Sequence, residues 1–131
     1  MKGAYDEAAA YAKGRFQGGR AIVDWSELRM ILSEMAISVK TAEALVSRAC
    51  QAVDAGESGW EILSRAAALQ VQKAACELTK DGIQVLGGVG YMKDFGQEKR
   101  FRDAKHLQPL LGMVPMKKLR LVDQLLQRKT L

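Results

Sequence analysis

Apolar residues return at intervals of three and four along most of the chain, and few runs of β-branched residues interrupt them. That period gathers apolar side chains onto one stripe of a helix, so the chain reads as a series of amphipathic helices. A first helix is expected from about Lys2 to Phe16, with Tyr5, Ala8, Ala9, Ala12 and Phe16 on its apolar stripe. Gln17-Gly18-Gly19-Arg20 ends it, because two successive glycines raise the entropic cost of continuing. Asp24-Trp25-Ser26-Glu27 then has the spacing of a capping box. The helix it introduces carries Trp25, Leu28, Ile31, Leu32, Met35, Val39, Ala42, Leu45, Val46, Ala49 and Val53 at threes and fours, about eight turns. Ala55-Gly56-Glu57 closes it.

Ser58-Gly59-Trp60-Glu61 repeats the capping pattern for a third helix, which extends to about Leu86. Its many alanines allow a neighbouring helix to come close. Gly82 inside it costs about 1 kcal/mol against alanine, which predicts tight packing at that point. The short loop between the second and third helices makes them antiparallel neighbours. Gly87-Gly88-Val89-Gly90 predicts a turn, and Asp94 with Gln97 caps a fourth helix running to about Leu110. Pro109 and Gly112 mark a break, and Pro115 fits the first turn of a fifth helix with Met116, Leu119, Val122, Leu125 and Leu126 on its stripe. No repeat or internal linker divides residues 1–131. The fold expected is a single all-α domain, an antiparallel up-and-down four-helix bundle with an additional C-terminal helix.

Composition fits that picture. A chain of 131 residues can bury one real core, and 48% hydrophobic content with only 6% aromatic requires a core of Leu, Ile, Val, Met and Ala. Met30, Met35, Met113 and Met116 read as core filling. No apolar stretch approaches the roughly 20 residues that cross a bilayer. The N-terminal Met1-Lys2-Gly3-Ala4-Tyr5-Asp6-Glu7 is polar, unlike a secretion signal, so a cytoplasmic protein is expected. Cys50 and Cys76 could in principle form a disulfide, but two thiols in such a chain read rather as buried and inert. With no CxxC and a single histidine, His106, no metal site can be built from Cys and His alone.

The net charge of +5, from 20 basic and 15 acidic residues, is compatible with a nucleic-acid partner. No aromatic platform or nucleic-acid motif accompanies it, so solvated helix faces or contacts to cofactor phosphates are preferred. Gly88-Val89-Gly90 begins like a dinucleotide fingerprint but lacks the third glycine and follows a helix. Taken by itself it is a helix-ending turn. Arg15 has two readings of equal weight, a cation favoured at a helix C-terminus and a guanidinium suited to a pyrophosphate. Arg102-Asp103 reads as part of an ion-pair network with Glu98 four residues earlier. His106 has no partner at a catalytic spacing and reads as a packed or exposed residue.

Ala8 to Gln17 is similar to a helix ending in Tyr-Ala-x-x-Arg-x-Gln-Phe-Gly, and Leu32-Ser33-Glu34-Met35-Ala36 resembles a Leu-Ala-Asp-Met-Ala stretch. Gln84-Val85-Leu86-Gly87-Gly88-Val89-Gly90-Tyr91 and Arg102-Asp103-Ala104-Lys105 follow in the same order. Together these segments resemble the C-terminal helical domain of the acyl-CoA dehydrogenase flavoproteins over nearly the whole chain. The resemblance implies a bundle that covers FAD held chiefly by a β-rich middle domain and that supports a homo-oligomer, dimer or tetramer. It directs Arg15 and Gln17 toward the flavin pyrophosphate of a neighbouring subunit, and Gln84, Gly87 and Gly88 toward FAD across the dimer. The intact enzyme would carry out FAD-dependent α,β-desaturation of acyl-CoA thioesters, with flavin-binding domains upstream or on a separate chain.

Three departures qualify that inheritance. Gly18 stands where the family usually has Phe, and Ser26 where Gln is common. Leu110-Leu111-Gly112-Met113 replaces a Tyr-Glu-Gly-Thr stretch that carries the catalytic glutamate. Leu111 cannot take an α-proton, so no catalytic residue is assigned and the chain alone is expected to be inactive. The same departures favour the alternative, a non-catalytic helical module for oligomerisation or partner docking.

Overall fold

The structure, a computed structural model, describes residues 1–110 and 112–127. Its helices are α1 (Lys2–Gly14), α2 (Ser26–Asp54), α3 (Trp60–Leu86), α4 (Gln97–Leu107) and α5 (Val114–Gln127). The up-and-down bundle is formed by α1 to α4, and α3 is its axis, packing against α1, α2, α4 and the added α5. Between α1 and α2 lies a hairpin that the periodicity did not predict. Its strands, β1 (Phe16–Gln17) and β2 (Arg20–Ala21), pair antiparallel with Phe16 opposite Ala21 and Gln17 opposite Arg20.

α1 buries its alanines. Ala4, Ala8 and Ala12 are all at 0% exposure and meet Met35 and Val39 of α2 and Leu78, Val85 and Leu86 of α3. Spacing of four places the three methyls on one stripe, and their small size brings α1 close to its neighbours. Phe16 does not extend this stripe. The backbone turns extended at Arg15, with φ −89° and ψ 122°, and carries Phe16 outward to 71% exposure.

Gly82 is explained by Gln97. The Gln97 side chain is fully buried, its Nε2–H donates to the Ala4 carbonyl at 2.8 Å, and its Oε1 faces Gly82. A Cβ at position 82 would stand 2.5 Å from that oxygen. One side chain of α4 is thus wedged between α1 and α3. Beside it the Glu7 carboxylate accepts from the Gly96 N–H at 3.1 Å and pairs with Arg100. Tyr11 meets Phe95 edge to face, with ring centroids 5.7 Å apart.

The expected side-chain caps do not form. α2 and α3 start after Trp25 and Gly59, neither making a side-chain cap bond, and α4 starts after Gly96. A 3-10 turn at Ile22–Asp24 leaves Asp24 one residue ahead of the cap position, and Ser26 Oγ–H donates to Glu27 instead, at 3.0 Å. Gln97, expected to reach back toward Asp94, is drawn into the core. Of the four methionines assigned to the core, only Met35 is buried, while Met30, Met113 and Met116 are exposed. Cys76 is buried, which pushes its thiol pKa up, but Cys50 is exposed and both cysteines are free. Leu111 lies outside the described residues. Among those described, no helix is long and apolar enough to cross a membrane.

The contact at Gly82 predicts that Gly82→Ala lowers the urea-unfolding free energy by about 1–3 kcal/mol through overpacking. Gly14→Ala places its methyl where nothing lies within 4 Å. It should move the same quantity by no more than about 1 kcal/mol. Equal losses at the two glycines would contradict the wedge.

Candidate functional site

An up-and-down order brings the C-terminal ends of α1 and α3 and the N-terminal end of α2 together at one end of the bundle. An open groove of about 750 Å³ lies there. Arg15, Gln17, Gln84, Gly87 and Gly88, the five residues singled out from sequence, all line it. Gly18, Ile22, Trp25 and Leu28 complete the wall on the α1–α2 side.

Each lining residue has a local reason for its place. Arg15 follows the last turn of α1, donating its N–H to the Tyr11 carbonyl at 2.9 Å and accepting at its own carbonyl from the Ile22 N–H at 2.8 Å. Its backbone therefore ties the helix to the segment beyond the hairpin. Its guanidinium is exposed and makes no ion pair or hydrogen bond among the described residues. The side chains of Gln17 and Gln84 are equally exposed and uncommitted. Gly18 and Gly19 form the two-residue hairpin loop with φ +66° and +82°, the conformation that a tight loop between antiparallel strands requires. Trp25 closes over this loop, donating Nε1–H to the Gln17 carbonyl at 3.4 Å beneath the Arg20 guanidinium, which lies 3.6 Å from the ring centroid.

The glycines after α3 differ in what they need. Gly87 ends the helix at φ +63°, a conformation that other residues avoid. Gly90 is held so close to α3 that a Cβ would stand 2.6 Å from the Ile83 carbonyl oxygen. Gly88 has neither reason. Its φ is not positive and a Cβ there would meet nothing within 4 Å. Nothing among the described residues requires glycine at 88, and its backbone is open there.

The charges around the groove are few. The C-terminal ends of α1 and α3 turn partial negative charge toward the groove. The positive end of α2 is occupied by Glu27, whose carboxyl is held below its usual range by a hydrogen bond from its own backbone N–H and then by Ser26. Among the described residues lining the groove, Arg15 is the one cation. A guanidinium fork suits phosphate oxygens, and Ile22, Trp25 and Leu28 offer an apolar strip beside it. The residues lining the groove include no carboxylate, histidine, cysteine or lysine.

Arg102 and Asp103 lie on the exposed surface of α4. Arg102 donates to both Glu98 oxygens, at 2.7 and 3.2 Å, and Asp103 pairs with Lys99. These bonds hold the Glu98 and Asp103 carboxyls below their ordinary range. Arg102 also lines a second groove, of about 800 Å³, with Lys80, Tyr91 and Phe101, and Gln84 stands on the ridge shared with the first. His106 is exposed. The sequence reading missed the lining roles of Ile22, Trp25 and Leu28. The Gly-Gly pair was a hairpin signal as much as a helix stop, and it would have turned Trp25 toward the loop.

Comparison with known proteins bears on this end of the bundle. Residues 1–126 match the family described as acyl-CoA dehydrogenase, C-terminal domain. A probable acyl-CoA dehydrogenase of Mycobacterium tuberculosis is 36% identical over 107 residues, covering 82% of this chain and 28% of the relative. Cyclohexane-1-carbonyl-CoA dehydrogenase of Geobacter metallireducens is 30% identical over 126 residues, covering 96% of this chain and 33% of its own length. A solved chain described with the electron transferring flavoprotein of Acidaminococcus fermentans superposes with a TM-score of 0.91 at 29% identity, over 97% of this chain and 33% of its own. The chain thus spans a third or less of the length of the proteins it matches.

Proposed function

The chain belongs to the acyl-CoA dehydrogenase family, whose C-terminal domain it matches, and on that premise we propose that its groove covers the FAD of an acyl-CoA dehydrogenase-like flavoprotein. The observation that carries this is the meeting of an uncommitted Arg15, two uncommitted amides and an unexplained glycine in one groove. Arg15 binds the pyrophosphate, where charge-assisted bonds are strongest. Gln17 and Gln84 satisfy polar edges of the nucleotide, and Gly87 and Gly88 let the backbone approach it. Ile22, Trp25 and Leu28 exclude water from the flat parts of the ligand. When bound, FAD supplies the hydride acceptor for α,β-desaturation of an acyl-CoA thioester.

The chain's own share is cofactor coverage. No residue of the groove removes the thioester's α-proton, and position 111 is a leucine. The base and most of the flavin contacts therefore belong to other domains, upstream or on a separate chain, acting in the cytoplasm. Assembly is supported by the surface. Ile37, Val46 and Val53 of α2 and Met116, Leu119, Val122 and Leu126 of α5 are exposed apolar residues that a homo-oligomer, dimer or tetramer, would cover. The same observation supports the second reading, a purely structural oligomerisation module. The two readings differ in whether Arg15 has a ligand.

In a titration of the chain mixed with its flavin-binding domains, FAD binding should weaken about tenfold or more on Arg15→Ala, the loss expected for a charge-assisted hydrogen bond. The melting temperature should hold, since Arg15 pairs with nothing described. Gly88→Val should likewise weaken binding without loss of stability, and the chain with FAD and an electron acceptor should turn over no acyl-CoA. Undiminished binding in Arg15→Ala would leave the structural module. Sedimentation equilibrium should return a small even multiple of 14.4 kDa; a monomer at tens of micromolar contradicts the assembly.

A further inference from the structure

We propose that Lys117 is a latch: its ammonium, carried on α5, holds the turn after α4 to the flank of α3, and α5 opens as a unit when that hold is lost. The latch uses no groove residue and is independent of any ligand. Lys117 Nζ donates to the carbonyls of Gln108 at 3.0 Å and Leu110 at 2.6 Å, and to Gln72 Oε1 at 3.5 Å. An ammonium has three donors, and all three are used.

The turn itself explains why a cation belongs there. The N–H groups of Gln108, Leu110 and Gly112 donate to the carbonyls of Lys105, Leu107 and Pro109. Lys117 takes the carbonyls of residues 108 and 110 that alternate with these. They lie just beyond Leu107, where α4 ends and its dipole is negative. A basic side chain bonded to such carbonyls caps the helix. Here the cap is supplied by the next helix, so capping α4 and docking α5 are one event.

Little else holds α5 down. None of its residues is buried. Val114, Lys117, Leu121, Gln124 and Leu125 are half-buried, and α5 packs on α3. Two of those five are polar, and both are bonded to side chains of α3. Lys117 meets Gln72, and Gln124 Oε1 accepts from Arg65 Nε–H at 3.1 Å. Met116, Leu119, Val122 and Leu126, the stripe that spacing assigned to packing, are instead exposed. The helix is therefore docked by its mixed face, and hydrogen bonds carry much of the hold. Elements with few buried apolar contacts open at low cost. Lys117 makes three of the bonds and Gln124 one, so release is decided at the Lys117 end.

Native-state hydrogen exchange on the full chain tests the latch. In the unaltered chain, amides of residues 119–123 should be protected at least about tenfold less than those of residues 78–82 in α3. Lys117→Met keeps an unbranched side chain and removes every donor. Protection over 119–123 should then fall a further tenfold or more, with α2 and residues 78–82 of α3 held within about threefold. Lys118→Met removes the same charge from an exposed neighbour that makes no bond among the described residues, and should change α5 by less than about threefold. Equal protection of α5 and α3 in the unaltered chain would overturn the latch. So would unchanged protection in Lys117→Met, an equal loss in Lys118→Met, or a loss in Lys117→Met that spreads over the whole bundle.

Discussion

Everything at the functional end of this bundle depends on how close α1 lies to α3. Ala4, Ala8 and Ala12 give α1 a buried stripe with almost no bulk. Gln97 fixes where along α3 that stripe sits, joining the Ala4 carbonyl to the bare Cα of Gly82. A single neutral hydrogen bond stabilises by about 1 kcal/mol, while a buried acceptor without a donor costs about as much or more. Gln97 Oε1 has no protein donor among the described residues. The wedge is therefore better understood as setting the register of three helices than as adding stability. Because α1 ends at Gly14 and α3 at Leu86, that register decides that Arg15 and Gly87 face one groove.

The groove's chemistry follows from which charges the fold leaves free. Helix ends alone would not attract an anion, since two of the three present carbonyls and the third is occupied by Glu27. A guanidinium without a partner reverses that balance on one wall. The groove also holds the amides of Gln17 and Gln84 and a glycine, Gly88, whose smallness serves nothing among the described residues. The strip of Ile22, Trp25 and Leu28 beside Arg15 is apolar. Such a surface, charged at one point and apolar beside it, is what the proposed cofactor reading requires.

Much of this was legible in the chain itself. The helices α2 and α3 are long enough that the three-and-four rhythm located them, and the glycine of α3 announced its close contact before Gln97 was known as the cause. The five groove residues were found through resemblance of short motifs, since no rhythm relates Arg15 to Gly88. What could not be read was which apolar residues face outward. Phe16, Met30 and Met116 keep helical spacing or apolar character yet are exposed, because a stripe is defined by neighbours that one chain does not name. The caps failed for a related reason. Asp24 and Asp94 have the right spacing, but a 3-10 turn and the burial of Gln97 moved the helix starts past them.

The central claim is that one end of the bundle, and no other part of it, meets a flavin nucleotide. Amide chemical-shift mapping of the chain during FAD addition tests this most directly. The account predicts shifts concentrated at Arg15, Gln17, Gln84, Gly87 and Gly88 and at the Trp25 indole N–H, with α5 and the Lys80–Tyr91–Arg102 groove unmoved. Shifts centred on that second groove, or none on the first at saturating FAD, would contradict it.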